Sequence, residues 1–311
     1  MAWRQVEAHG ASSAVYDPSC PFCPGNERLL PAIIAETRMD AAPGWQARVV
    51  NNKYPALTPD AQPKALDIGP RVRRDAFGYH EVIVESPCHN ADLTTLSDTE
   101  IHAVATTYRS CFNALAKRPH IEAVFLFRNH GLNSGASLVH PHAQAMATAM
   151  VPPRTAETLR WARAQFAATG RCATCRDLES EMEDGSRIVE ATKHFLTFVP
   201  FAATSPCELR ITPLRHRASF GAVDDAELIE LGRVLRRALM RLALALDDPS
   251  YNFVIESSAI AADDAQSTHW CLKIIPKLTT PAGFELASGI RINPSLPEAD
   301  AEMLRAIDLG M

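Results

Sequence analysis

One arrangement of residues is written twice along this chain of 311 residues. Cys20-x-x-Cys23 is followed by His89 and His140 in the first half, and Cys172-x-x-Cys175 by His216 and His269 in the second. Between the two histidines of each set the same local signals recur. Gly78 to His89 carries the alternation and β-branching of a strand ending in a turn, with His89 closing it. Ser97 with Glu100 three residues on is a capping box that starts a helix running through Leu115. Ala123 to Phe127 then reads as a buried strand, and a Gly-rich loop leads to His140 in a last strand. The second half repeats this order with a strand from Cys207 to Thr212, a helix from Asp224 to about Leu246 and a strand from Tyr251 to Glu256. Eight residues separate His89 from Ser97 and His216 from Asp224, while His89 to His140 spans 51 residues and His216 to His269 spans 53. Agreement in both order and interval predicts a duplicated α+β unit. Residues 1–150 form the first unit, 151–170 a connector with one short helix, and 171–311 the second unit. Asp60 to Pro70 reads as loose.

The duplicated cysteines and histidines predict metal. Thiolate and imidazole are the ligands that zinc takes in closed tetrahedral sites, and two Cys₂His₂ sets in matching places are far more specific than one C-x-x-C. Taken singly, His89 and His216 read as surface turn residues and His269 as a hydrogen-bonded core histidine. A redox C-x-x-C is disfavoured because neither motif follows a strand at the start of a helix in a βαβ unit. The other four cysteines, Cys88, Cys111, Cys207 and Cys271, have no partner at such spacing and read mostly as buried, unreactive thiols. Two zinc ions per chain are expected, in a reducing compartment.

A formal net charge of −5 and a pI near 6.1 provide no broad basic field, which argues against nucleic acid as a partner while leaving room for a local pocket that holds one phosphate. Hydrophobic residues make up 47% of the chain, ample for a sizeable core. Met1 to His9 has no apolar core of signal-peptide length and no stretch approaches a membrane span, so a soluble, cytoplasmic protein without a membrane partner is expected.

The most specific chemistry lies in Asn129-His-Gly131-Leu-Asn-Ser-Gly135-Ala-Ser137-Leu-Val-His140-Pro-His142-Ala-Gln144. Alternation along a strand puts His140, His142 and Gln144 on one face, so that His140 can bind metal while His142 points into an adjoining cleft. His-Pro-His-x-Gln after Asn-x-Gly-x-x-x-Gly-x-Ser resembles the active-site signature of the galactose-1-phosphate uridylyltransferases, a branch of the histidine-triad superfamily. Cys20-Pro-Phe-Cys23-Pro-Gly-Asn26, Asn52-Lys53-Tyr54-Pro55-Ala56-Leu57, Ser86-Pro-x-His89, Ala282-Gly-Phe284-Glu285 and Ile292-Asn-Pro294 are similar to further family motifs in the same order. The likeness runs over about residues 18 to 305. The second cysteine pair and Pro200-Phe-Ala-Ala-Thr204 resemble the ADP-glucose phosphorylase branch of that family.

The resemblance implies antiparallel half-barrel sheets with packed helices, histidine-triad-like in both halves, a homodimer, and ping-pong nucleotidyl transfer. His142 is the expected nucleophile and Gln144 a donor to a nonbridging phosphate oxygen; a neutral imidazole can attack phosphorus and split one transfer into two easier steps. Asn129, Gly135 and Ser137 are expected at the phosphates, Asn52, Lys53 and Tyr54 at the nucleoside, and Phe284 and Glu285 at the sugar. A nucleotide sugar would donate UMP, with an adenylyl group as the alternative, and a sugar 1-phosphate or inorganic phosphate would accept it. A regulator that binds nucleotide and zinc without turnover is the reading from another class, and retention of both His142 and Gln144 counts against it. Two departures stand out. Cys271 occupies the place two residues after His269 where a second nucleophile would stand, and reads as structural rather than as a thiolate. Only Trp3, Arg4 and a few other residues precede Cys20, where family members carry a longer Arg-containing segment; a neighbouring subunit is the expected source of the missing positive charge.

Overall fold

The computed structural model describes residues 14–39, 43–260 and 264–310, so the expectation placed on Trp3 and Arg4 lies outside the described residues. In the first half the chain runs β1 (Ile33–Thr37), β2 (Ala47–Asn51), β3 (Ala65–Ile68), β4 (Arg71–Arg74), β5 (Gly78–Val84), α1 (Asp98–Ala116), β6 (Ala123–His130) and β7 (His142–Thr148). Then come α2 (Pro153–Thr169), α3 (Ala173–Asp184), β8 (Ile188–Ala191), β9 (Phe195–Phe198), β10 (Leu209–Pro213), α4 (Asp225–Leu246), β11 (Tyr251–Glu256), β12 (Cys271–Pro276), α5 (Gly283–Ser288) and α6 (Pro297–Arg305).

Ten strands form one antiparallel sheet in the order β1-β2-β5-β7-β6-β11-β12-β10-β9-β8. Read outward from its centre, that order is a duplication: β6 answers β11, β7 answers β12, β5 answers β10, β2 answers β9 and β1 answers β8. The halves are therefore continuous in one sheet, each contributing five strands to it. They fuse through β6 and β11, where Tyr251 pairs with His130 and Ile255 with Leu126. Fusion satisfies the backbone groups that two free central edges would leave open.

The two long helices repeat as well. α1 starts on Ser97, whose hydroxyl accepts from Glu100 N–H while the Glu100 carboxylate accepts from Ser97 N–H, and α4 starts on the same reciprocal pair from Asp224 and Glu227. Both helices lie against the same face of the sheet. Their apolar stripes meet strand residues such as Ile83, Ala145, Leu126, Phe253 and Leu272 in one core. At Gly232 on α4 an added Cβ would stand 3.1 Å from the Ile101 carbonyl of α1, so the missing side chain sets how closely the helices cross. Asp98 of α1 ties them further to Arg233 and Arg236 at 2.8 and 2.6 Å.

Three expectations change. The connector helix α2 is 17 residues long, starting on Pro153 and stopping at Gly170, which takes a left-handed conformation. Asp60 to Pro70 is not loose throughout, because β3 and β4 pair as an exposed hairpin. β5 ends at Val84, so His89 lies five residues past the strand in the following turn.

Candidate active site and metal centres

The sheet face opposite α1 and α4 carries the chemistry. Cys20 and Cys23 come from the loop before β1, His89 from the turn after β5 and His140 from the loop entering β7; all four are buried. The ligand atoms converge, with His89 Nδ1 and His140 Nδ1 3.4 Å apart and the sulfur-to-nitrogen distances between 3.5 and 3.7 Å. A tetrahedral zinc with bonds of about 2.3 Å to sulfur and about 2.0–2.1 Å to nitrogen sets those edges at about 3.4 and about 3.6 Å. The four side chains thus fit the ion. His140 Nε2–H donates to the Ser86 carbonyl at 2.8 Å, which turns Nδ1 to the centre. Burial pushes the Cys20 thiol up to about 12 and His140 down to about 4, so a buried cation is what makes a thiolate stable there.

Cys172, Cys175, His216 and His269 gather in the equivalent place, with Cys175 Sγ 3.2 Å from His216 Nδ1 and 3.5 Å from His269 Nδ1. Here too a carbonyl, that of Ala265, accepts from His216 Nε2–H at 2.8 Å. This centre is more open than the first, since only Cys172 is fully buried. Cys172 is the N-cap of α3, and His269 adjoins Trp270, which is sealed between Phe195 and Phe220 in the core. The centre therefore joins a surface helix to the middle of the second half.

His140 is not in β7. Pro141 cannot donate to a ladder, and the strand begins only at His142. The shared-face argument consequently holds for His142 and Gln144 but not for His140. His142 is buried, 7% exposed, with its ring 5.5 Å from that of Phe22, and its Nδ1 lies 2.8 Å from the His140 carbonyl. Only an N–H can meet a carbonyl, so the proton resides on Nδ1 and Nε2 keeps its lone pair. Burial also lowers the pKa of His142, a shift that the His140 carbonyl partly opposes and nearby Arg128 reinforces, so the ring stays neutral.

The amides around His142 have their oxygens engaged. Gln144 Oε1 is 2.7 Å from His80 Nε2, and Asn129 Oδ1 accepts from the Asn252 amide at 2.8 Å. Asn252 also donates to the Ser134 carbonyl at 3.0 Å, bracing the glycine loop from the second half of the chain. The –NH₂ groups of Gln144 and Asn129 are donors, the polarity an anion needs. Gly131 and Gly135 take φ of 78° and 88°, and a Cβ on Gly131 would stand 2.3 Å from Ser250 Oγ, so this loop depends on glycine. Gly135 and Ser137 lie exposed on it. Asn52 lies beside His80 and is tied to it by its backbone N–H, which donates to the His80 carbonyl at 2.9 Å. Lys53 and Tyr54 follow in the same turn, with Tyr54 65% exposed.

Phe284 and Glu285 are placed elsewhere. They lie on α5 past the end of β12; Phe284 is 56% exposed, and the Glu285 carboxylate accepts from Ala282 and Ile292 N–H, closing its own loop. No hydrogen bond or ring contact joins either to His142 among the described residues. Cys271 opens β12 as His142 opens β7, in line with the expected equivalence. Burial and the adjacent Glu256 push its thiol up to about 11, whereas a nucleophile needs the thiolate. The residues missed in the sequence are His80 and Asn252, whose parts depend on pairing across strands.

Comparisons with known proteins show the chain's relatives. A family model described as the N-terminal domain of galactose-1-phosphate uridyl transferase matches residues 1–152. An Arabidopsis thaliana protein described as ADP-glucose phosphorylase is 34% identical over 94% of this chain and 82% of its own length. A Thermotoga maritima galactose-1-phosphate uridylyltransferase is 27% identical over 93% of this chain and 90% of its own. Among solved structures, an Arabidopsis thaliana ADP-glucose phosphorylase with bound ADP-glucose superposes with a TM-score of 0.85 at 33% identity, covering 96% of this chain and 92% of that one. A structure described as a uridylyltransferase gives 0.80 at 28% identity, covering 97% and 95%. With its duplicated sheet, its His-Pro-His-x-Gln strand entry and relatives matched over nearly their whole length, the chain belongs to the galactose-1-phosphate uridylyltransferase family of nucleotidyltransferases.

Proposed function

We propose that the protein moves a nucleoside monophosphate from a nucleotide sugar to an acceptor phosphate through a covalent adduct on His142. The observation that carries this reading is the bond from His142 Nδ1–H to the His140 carbonyl, which leaves Nε2 as the free nucleophilic atom. In the first step the Nε2 lone pair forms a bond to the α-phosphorus, the bond from that phosphorus to the bridging oxygen breaks, and sugar 1-phosphate departs with the electron pair. In the second an oxygen of the acceptor, a sugar 1-phosphate or inorganic phosphate, bonds to the same phosphorus, and the P–N electron pair returns to Nε2. The Gln144 –NH₂ stabilises charge on a nonbridging oxygen in both steps.

Asn129, Gly135 and Ser137 hold the phosphates, and Asn52, Lys53 and Tyr54 the nucleoside; Phe284 and Glu285, which stand apart from His142 on α5, are assigned to the sugar by the family resemblance alone. Two zinc ions hold the two Cys₂His₂ centres closed and take no part in the transfer. Sequence reasoning places UMP ahead of AMP as the transferred group. The greater identity to the protein described as an ADP-glucose phosphorylase supports assaying the adenylyl donor first, and the family model supports the uridylyl donor as second reading. We further propose a homodimer in the cytoplasm, a reducing compartment in which all eight cysteines stay out of disulfides. Among the described residues no helix is long and apolar enough to cross a membrane.

A panel of ADP- and UDP-sugars, each offered phosphate or a sugar 1-phosphate, tests the reading. One donor–acceptor pair should turn over with parallel double-reciprocal lines. Intersecting lines for every active pair count against the covalent route.

A further inference from the structure

His80 has no place in the reaction as written, yet it stands between two groups that do. It lies on β5, which pairs with β7 so that Val82 faces Gln144 and Val84 faces His142. Its ring bridges diagonally from the turn holding Asn52 to the side chain of Gln144. Ala56 N–H donates to Nδ1 at 3.2 Å, which makes Nδ1 an acceptor and leaves the single proton of the neutral ring on Nε2. That Nε2–H is 2.7 Å from Gln144 Oε1, the shortest contact the ring makes, and the Asn52 amide nitrogen lies beside it at 3.1 Å. Protonating Nδ1 would set it against the Ala56 N–H, and burial, lowering the pKa of His80, opposes that.

The consequence falls on Gln144. A primary amide turns about its last torsion at little cost, and the two orientations present opposite polarity. With the –NH₂ toward the substrate it donates to a phosphate oxygen; with the carbonyl there it repels the same oxygen. We propose that His80 is a positioning residue, which by occupying Gln144 Oε1 holds the amide with its –NH₂ turned toward the nucleotidyl phosphate and ties that orientation to the nucleoside-binding turn through the Ala56 N–H. This rests on the reading of Gln144 as a phosphate donor.

Two substitutions of similar size separate orientation from packing. In His80→Gln the terminal –NH₂ reaches the place of Nε2 and still donates to Gln144. In His80→Asn the amide oxygen replaces Nδ1 as the acceptor for Ala56, and the donor to Gln144 is gone. His80→Asn should lower kcat by about 10- to 100-fold, less than the loss of about 10²–10³ that follows removal of a preorganised donor. His80→Gln should stay within a few-fold of the parent, and KM, zinc content and melting temperature should change little in either. In a Gln144→Ala background His80→Asn should cost nothing further, since its only route of action has been removed. Equal effects of His80→Asn and His80→Gln, or losses that multiply in the double variant, overturn the proposal. The same cycle read on the affinity for the product nucleoside monophosphate decides the matter should turnover be too slow to follow. Failure of the covalent reading shows separately, as turnover that survives in His142→Asn.

Discussion

At the scale of single residues the site is a set of resolved ambiguities. Imidazoles and amides each have two faces of opposite polarity, and a neighbour chooses one at every position: the His140 carbonyl for His142, His80 for Gln144, and Asn252 for Asn129. Among the described residues the equivalent place in the second half shows no such arrangement. Lys273 answers Gln144 and pairs with Glu256 at 2.6 Å, while Cys271 answers His142 as a protonated thiol. These contacts support the proposal of one catalytic centre per chain, on which Cys271→Ala should keep kcat/KM within about twofold of the parent, a change of roughly 0.4 kcal/mol in barrier. Steady-state assays decide this, and a loss comparable to that of His142→Asn would show a second nucleophile at work. The gathering of Cys20, Cys23, His89 and His140, and of Cys172, Cys175, His216 and His269, was legible in the sequence because the pattern is written twice, and the shared face of His142 and Gln144 because their spacing is local. His80 and Asn252 were not, since each acts on a residue 64 or 123 positions away that only strand pairing brings near.

Elements explain where those residues end up. Both long helices were readable from their capping boxes, one Ser-Glu and one Asp-Glu, because a cap is written within four consecutive residues. The entry to β7 was misread because alternation alone assigns His140 to the strand, whereas Pro141 interrupts the ladder and frees His140 to turn into the metal centre. The second centre acts between elements, joining the start of α3 to the turn after β10 and the entry to β12. Closed sites of this kind contribute their binding energy to folding. Cys172→Ser should therefore lower the melting temperature by at least about 3 °C, the shift expected when about 2 kcal/mol is lost from a chain of this size. Calorimetry with a parallel kcat measurement is the check. An unchanged melting curve would mean the centre holds no structural ion, and a collapse of kcat without loss of stability would give it another role.

For the molecule as a whole, the sheet order is what sequence reasoning could not supply. The duplication predicted two units, but which strand of each meets the other depends on open edges and on the contact between α1 and α4, and these fuse the halves into one ten-stranded sheet. The fusion places Asn252 of the second half against Asn129 and the glycine loop of the first, so the second half braces the loop proposed to hold the phosphates. Each half keeps its own Cys₂His₂ centre, and elemental analysis of chelator-washed, folded protein should return two zinc ions per chain; a value near zero would remove both. The central claim, a nucleotidyl group carried on His142, is tested most directly by intact-protein mass spectrometry after mixing enzyme with nucleotide sugar and quenching at alkaline pH, where a phosphoramidate survives. The chain should gain the mass of one nucleoside monophosphate, lose it on addition of the acceptor or on acidification, and show none in His142→Asn of unchanged melting temperature. An enzyme that turns over at its full rate with no adduct at any time within a single turnover would contradict the account.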